Sequence, residues 1–412
     1  MICPQPRIAI IGGGPCGLTT GLLLHRSGIP FSLFELRQKP TDEELAKPSG
    51  MLDLHDTSGI LALKECGVFD EFLELTGECS EANKVLDKNG NILYKDEGEN
   101  SSRPEISRHL LTRLLISHIP AKQIHWGYKL LSATRSTTSE HTKIELDFGS
   151  CGKQKFDLVI GADGAWSKIR SLLMEVRPYY SGMHLITLTA RGITKKYPHL
   201  AELVGLGSFA ALGNRHGVMS QRGPQDSARI YVFLTAEDEN FATTAGLAGK
   251  SADSAKERLL SDNALLGTWA ATLKELVSVA CDEERADNPG GSLDIRAMYM
   301  LPNNYAWDHQ TGATIIGDAA HLMRPVGEGV NLAMLDAMLL VRAIIKAHKS
   351  AGKDVASFLG ALDPLVEEFE VDLVARAKKV SERSESITQM MFGGEDAATT
   401  FAEFFLRAHE GK

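Results

Sequence analysis

The chain begins its pattern with Ile8-Ala9-Ile10-Ile11, an apolar run with no polar face, as expected of a strand buried on both sides. The run passes directly into Gly12-Gly13-Gly14-Pro15-Cys16-Gly17. Apolar positions over 18–26 then predict a helix, closed by Gly28. A second strand, Phe31-Ser32-Leu33-Phe34, ends at Glu35. Between 56 and about 75 the spacing of Ile60, Leu61, Leu63, Phe69, Phe72 and Leu73 is helical. Lys84-Val85-Leu86 and Ile92-Leu93-Tyr94 flank an Asn89-Gly90 step, which predicts a hairpin. Arg108 leads a helix carrying Leu110, Leu111, Leu114, Leu115 and Ile116 on its apolar face. Strands and loops over 124–146 precede another buried strand, Phe156 to Ile160, which delivers Gly161-Ala162-Asp163-Gly164 into an expected helix.

From 171 to about 290 the pattern changes. Short alternating runs over 184–193, 217–219 and 229–234 predict a second, more antiparallel sheet, followed by helical runs over 254–260 and 269–280. Strands resume at Ala297-Met298-Tyr299 and Thr314-Ile315-Ile316. A corner, Gly317-Asp318, and a glycine-rich loop then lead to a long amphipathic helix over 332–348. The tail over 355–407 reads as helical, with Phe401, Phe404, Phe405 and Leu406 docking on the body. The fold class expected is α/β: a Rossmann-like dinucleotide unit with an inserted mixed or antiparallel-sheet substrate unit and a C-terminal helix. The boundaries expected are 1–80, 105–178 and 291–348 for the dinucleotide unit. A hairpin at 81–104 and the segment 179–290 form the substrate unit, and 349–412 the helical tail.

The first glycine cluster is a GxGxxG between strand and helix, with an acid about twenty residues on. Gly12 permits the tight turn, Gly14 lets backbone approach a pyrophosphate, and Gly17 lets helix and strand pack closely. Glu35 would accept hydrogen bonds from a ribose. Asp163-Gly164 again places an acid and bare backbone at the carboxyl edge of a sheet, where ligands of α/β proteins sit. The stretch from Gly317 to Asn331 combines corner, loop and helix start, aiming N–H groups and a helix dipole at something electron-rich.

Composition narrows the partners. The chain has 412 residues, a net charge of −9 and a sequence pI of about 5.8, which argues against a nucleic-acid or anionic-membrane surface. The uncharged stretch from Ile8 to Leu24 resembles a signal-peptide core, but five glycines and a proline break it. The most apolar helix carries Asp336, Arg342 and Lys346, so no membrane span is expected. The six cysteines (Cys3, Cys16, Cys66, Cys79, Cys151, Cys281) show no CxxC or metal spacing, which fits reduced thiols, a cytoplasmic protein and no metal.

The ordered trio of Gly12–Gly17, Asp157–Arg170 and Gly317-Asp318 with Pro325, with Glu35 between the first two, resembles the class A flavoprotein monooxygenases of the para-hydroxybenzoate hydroxylase type. Within that class, Ser49 to His55, Asp87 to Leu93, Pro104 to Arg108 and Gly317 to Asn331 are most similar to the tetracycline-inactivating flavin monooxygenases. The resemblance implies non-covalent FAD, with Gly12, Gly14, Gly17 and Glu35 at its ADP half. Arg108 would lie by the pyrophosphate or flavin, Asp163 near the cofactor, and Asp318 on the ribitol. Pro325, Gly329, Val330 and Asn331 would line the isoalloxazine. The family often has an Arg directly after the ribose acid; here Leu36 stands there and Arg37 one later.

The implied reaction takes hydride from NADPH or NADH. Through a flavin C4a-hydroperoxide it then transfers one atom of O₂ to an aromatic or polyketide-like small molecule. No nucleophilic side chain is needed, and no obligate protein partner is evident. Arg324 and Pro325 are the candidates nearest the chemistry. His321 and Arg324 read first as packing and a solvated charge, with an acid/base group and an NADPH-phosphate or substrate contact as the alternatives. Gly213-Asn214-Arg215 resembles part of the tetracycline enzymes' polar set, whereas Thr189 and Tyr231 stand where their Gln and His contacts find no match. Arg215, Thr189 and Tyr231 are thus the candidate substrate contacts. No second GxGxxG suggests a dedicated NAD(P)H unit. The alternatives are a flavin oxidase or reductase without oxygen transfer, and a non-catalytic nucleotide-binding protein. A halogenase lacks support, since no Trp-x-Trp-x-Ile-Pro segment occurs.

Overall fold

A computed structural model describes residues 5–76, 80, 82–98, 104–137, 142–325, 327–351 and 354–410. Cys3, Cys79, Val326 and parts of the 81–104 segment lie outside the described residues. The all-apolar run Ile8–Ile11 is the central strand of a five-stranded parallel sheet, ordered Ala313–Ile315, Leu158–Gly161, Ile8–Ile11, Ser32–Glu35, Ile124–Trp126. Its four side chains are buried, as expected of the central strand of a parallel sheet. Helix Pro15–Arg26 packs against helix Gly329–Ala351, so the first and last parts of the parallel-sheet unit share one core. The carboxyl ends of Ile8–Ile11, Leu158–Gly161 and Ala313–Ile315 lie side by side, bringing all three motifs to one edge.

The second sheet has seven strands, ordered Ile295–Met300, Tyr179–Ala190, Ser227–Thr235, His216–Gly223, Ser208–Gly213, Asn83–Asp87, Ile92–Asp96. All neighbours are antiparallel except Ser208–Gly213 with Asn83–Asp87. Strand Ile295–Met300 belongs to this sheet, so the chain returns to the parallel sheet after Met300, later than the expected 291. One face, with Ile186, Leu188, Ile230 and Val232, packs on helices Ala252–Ser261 and Ala271–Asp287. The other, with Met183, Ala210, Leu212 and Phe233, packs on the C-terminal helices. A three-stranded sheet (Ser132–Thr137, Thr142–Asp147, Lys153–Phe156) and a short pair (Met51–Asp53 with Glu105–Ser107) complete the strands among the described residues.

Some local expectations change. The helical run over 56–75 is two helices, Gly59–Cys66 and Phe69–Leu75, because Gly67 turns left-handed at φ +66° and ends the first. The tail is also two helices, Val355–Phe392 and Ala397–Glu410. The first has 38 residues, about 57 Å at 1.5 Å per residue, and spans both units. Phe358, Leu362 and Phe369 enter the first core, while Met391 and Phe392 enter the face of the second sheet. No described helix is long and apolar enough to cross a membrane, and no described cluster of His, Cys, Asp and Glu could hold a metal.

The long helix is pinned by charge. Buried Glu370 accepts from Thr314 Oγ1 at 2.7 Å and meets His309 Nδ1 at 2.9 Å, while Asp363 meets His309 Nε2 at 3.4 Å. The Asp363 and Glu370 hydrogen bonds lift His309 from 6.5 to about 9. A raised folded-state value means stability that is fully present below pH 6.5 and is lost as pH rises through about 9. At 1.36 kcal/mol per pKa unit the upper bound is about 3 kcal/mol. In urea melts, His309→Gln should therefore be well below wild type at pH 6, and the gap should shrink by pH 10. A gap that stays constant would contradict this clamp.

Candidate functional site

The first glycine turn shows two kinds of glycine. At Gly12, φ is +111° and a Cβ would sit 2.1 Å from the Ala162 carbonyl oxygen; at Gly17 it would sit 2.0 Å from the Gly12 oxygen. Both glycines are required by the protein's own packing. Gly14 is different: a Cβ there meets nothing within 4 Å. It precedes helix Pro15–Arg26, whose N-terminus has no side-chain cap and begins with proline. Free space plus uncapped amides is a cradle of the kind a pyrophosphate fills, so the residues present fit the dinucleotide.

Glu35 is buried, and its carboxylate already holds backbone: Gly13 N donates to Oε2 at 2.6 Å and Arg37 N to Oε1 at 3.0 Å. Each oxygen retains a lone pair for a ribose hydroxyl. The carboxylate is therefore also a clamp on the glycine turn, a role the spacing did not suggest. Arg37 is exposed and returns its carbonyl to Gly127 N at 2.8 Å, while Leu36 is 61% exposed.

The second motif departs from its expected shape. No α-helix follows Asp163-Gly164, only a 3-10 turn at Arg170–Leu172. Asp163 turns its carboxylate into its own loop, accepting from Ser167 Oγ at 2.6 Å and Lys168 N at 2.7 Å. Burial pushes the Asp163 carboxyl up, against the pull of these hydrogen bonds. The compact loop then sends Arg170 inward. Its guanidinium donates to the carbonyls of Ala319 (2.8 Å), Ala165 (2.9 Å) and Asp318 (3.1 Å), stapling the second motif to the third.

The third motif turns on Gly317, at φ +61°, packed against Cys16 and Ala333. Asp318 starts the short helix Asp318–His321, and its exposed carboxylate has no hydrogen bond or ion pair among the described residues. His321 is buried, so it is no solvated acid/base group. Its Nε2 lies 2.5 Å from Asp336 Oδ2, which also accepts from Gly317 N at 3.2 Å. Arg376, from the long C-terminal helix, reaches Asp336 Oδ1 at 3.1 Å. Arg324 Nη2 donates to the Ser181 carbonyl at 2.9 Å, tying this loop to the second sheet. Pro325 is exposed.

Helix Gly329–Ala351 begins with the amides of Gly329, Val330 and Asn331 unpaired among the described residues; Leu332 N is the first to find its own turn, at Glu328 O, 3.1 Å. The Asn331 side chain, however, is engaged. It donates to Asp53 O at 2.7 Å and accepts from His55 N at 2.8 Å and Ser58 Oγ at 3.3 Å. Asn331 thus offers its backbone, while its amide group joins the helix start to the Met51–His55 segment.

Of the candidate substrate contacts, two come together and one does not. Thr189 pairs across the ladder with Arg229, and Thr187 with Tyr231. Arg229 Nη1 donates to Thr189 Oγ1 at 2.5 Å. The Tyr231 hydroxyl abuts Gly50, 3.0 Å from where a Cβ would stand, and Gly50 O accepts from Arg108 N at 2.9 Å. The second sheet therefore meets the cofactor unit here. Arg215 instead forms a left-handed two-residue turn with Asn214 (φ 50° and 59°) and points Nε at Phe392 O, 3.4 Å. It lies beyond the Gly217–Phe233 pair, remote from Thr189. Arg229, Arg170, Asp336 and Arg376 were missed as site residues. Only Arg229 carried a signal, its alternation with Tyr231 on one strand.

Comparison with known proteins adds kinship. The FAD binding domain family model matches residues 6–262 and 273–356. Monooxygenase penA of Penicillium thymicola is 35% identical over 405 residues, covering 90% of this chain and 92% of that protein. The fold is similar to that of Klebsiella pneumoniae HpxO complexed with FAD and uric acid (TM-score 0.72, 17% identity, 96% of this chain and 90% of that one). It is also similar to that of tetracycline destructase Tet(55) (TM-score 0.63, 18% identity, 98% of each chain).

Two substitutions probe the cradle. Gly14→Val should leave the fold intact, since nothing in the protein opposes its Cβ, yet abolish FAD binding by filling the pyrophosphate space. Melting temperature and FAD titration measure the two separately, and an unaltered dissociation constant would refute the assignment. Asp318→Ala should weaken FAD about tenfold or more, the value of a charged hydrogen bond. Wild-type flavin content after gel filtration would contradict that role.

Proposed function

The chain belongs to the FAD binding domain family of flavin-dependent monooxygenases, and from that premise we propose that it inserts one oxygen atom from O₂ into an aromatic or polyketide-like small molecule, with NADPH or NADH as co-substrate. The observation that carries the reading is the meeting of two surfaces. The three motif ends lie together at one edge of the parallel sheet, and the second sheet's Tyr231, next in its strand face to Arg229 and Thr189, touches Gly50, whose carbonyl accepts from Arg108 N. When bound, FAD accepts hydride from the nicotinamide and activates O₂ for transfer of one atom.

The chain's own residues bind, orient and shield. Gly12, Gly14 and Gly17 admit the pyrophosphate, and the amides opening helix Pro15–Arg26 neutralise it. Glu35 accepts the ribose hydroxyls. Asp318, exposed and unpaired among the described residues, accepts from the ribitol. The amides of Gly329, Val330 and Asn331, unpaired among the described residues, would favour negative charge on a flavin ring placed against this helix start. Arg108 lies beside the junction, and Thr189, Arg229 and Tyr231 hold the substrate. The long C-terminal helix, with Phe392 on the second sheet's inner face, closes the far side against water. Arg215 is turned toward Phe392 O instead.

Stoichiometry tests the proposal. Purified protein should be yellow. With a panel of phenolic polyketides and tetracyclines, at least one compound should give NADPH, O₂ and a product heavier by one oxygen in equal amounts. If every compound yields only H₂O₂, an oxidase or reductase without oxygen transfer replaces the monooxygenase reading.

A further inference from the structure

Strand Ser227–Thr235 displays three large side chains in series on its inner face: Arg229, Tyr231 and Phe233. At about 3.3 Å per residue they span roughly 13 Å. The strip is graded in polarity. At one end the Arg229 guanidinium donates to Thr189 Oγ1 at 2.5 Å, yet its Nε is buried without a hydrogen-bond partner among the described residues. Its nearest carboxylate, Glu284 Oε1, stands at 3.9 Å, outside hydrogen-bond range, and is shared with Arg191 at 4.0 Å. In the middle, the Tyr231 hydroxyl abuts Gly50, whose carbonyl accepts from Arg108 N at 2.9 Å, at the seam between the two sheets' units.

The other end is apolar. Phe233 and Phe392 lie 5.5 Å apart between ring centroids, with Met219 and Leu185 beside them. Opposite Phe233 the chain has Gly217, where a Cβ would come within 2.9 Å of the Phe392 ring; the glycine makes room for that ring. A buried donor with no acceptor costs about 1–3 kcal/mol unless something satisfies it. The apolar end offers no such demand.

We infer that this strand sets the substrate's class and direction: an elongated molecule with an acidic oxygen function at Arg229 and Tyr231 and an aromatic body against Phe233 and Phe392. The inference rests on the oxygenase reading of the same site. Arg229 is then the specificity-determining residue, recognising a carboxylate, phenolate or enolate by charge-assisted hydrogen bonds. The two-ring length of the strip favours extended over single-ring compounds.

The test uses FAD-loaded protein and three probes, read by perturbation of the flavin spectrum: biphenyl-4-carboxylate, benzoate, and the shape-matched cation 4-phenylbenzylamine. The two-ring acid should bind at least tenfold tighter than either of the others. Arg229→Met should erase the acid-over-amine preference and keep the two-ring preference; Phe233→Ala should do the reverse. Arg229→Gln serves where Arg229→Met does not retain wild-type FAD content. Equal affinity for acid and amine, no binding of the two-ring acid, or a preference unmoved by either Arg229 variant overturns the inference. Anaerobic reduction of the same samples by NADPH and NADH separates the two levels. Intact reduction with failed selectivity sinks only the orientation, whereas no reduction by either nucleotide sinks the oxygenase reading.

Discussion

A single buried carboxylate, Asp336, organises the corner on which the site depends. It is fully buried in helix Gly329–Ala351 and collects three donors from three places: Gly317 N from the strand end, His321 from the short helix, and Arg376 from the C-terminal helix. Burial opposes a charged imidazole, but the Asp336 carboxylate outweighs it and holds His321 above its ordinary value. A buried charge is tolerated only when paired and hydrogen-bonded, and removing one partner strands the others. The corner is thus fixed from inside, while the exposed Asp318 side chain has no hydrogen bond or ion pair among the described residues. Asp336 made its only appearance in the sequence as a charge interrupting an apolar helix.

Arg170 repeats this logic at the neighbouring strand. Its three carbonyl acceptors belong to the second and third motifs, so the two loops move as one. Burial lowers its pKa, with Tyr305 and nearby carboxylates acting in the other direction. Cys16, at the start of the first helix, packs its thiol against Ala333 O at 3.2 Å, and burial pushes it well above the usual thiol range. Polar groups beneath the cradle thus hold the three motifs to one another.

What could be read from sequence was whatever follows local periodicity. Ile8–Ile11 with its glycines, Leu158–Gly161 and the final strand–corner–helix unit all announce themselves within twenty residues. The two-sheet division was legible for the same reason, since alternation in 179–235 differs from the buried runs before it. Pairings across the chain were not legible. Nothing near Glu35 shows that Gly13 N will occupy it, and nothing near Arg215 shows that a left-handed turn carries it away from Thr189. The expected helix after Asp163 failed because its carboxylate caps its own loop and Arg170 is drawn inward, both tertiary effects. Asn331 was read as flavin lining, and nothing near it in sequence shows that its side-chain amide will also close contacts nearly three hundred residues away.

The order of strands in the parallel sheet governs when during synthesis a working site can exist. The central strand Ile8–Ile11 and its neighbour-but-one, Ala313–Ile315, are three hundred residues apart in the chain, and Arg376 comes later still. Such long-range pairing is slow to form. A ribosome-bound chain short of Arg376 has its glycine cradle yet lacks the full set of donors that fixes the third corner. The corner that carries Asp318 can therefore be fixed only after more than three hundred residues have followed the glycine turn, so this site is completed late in synthesis.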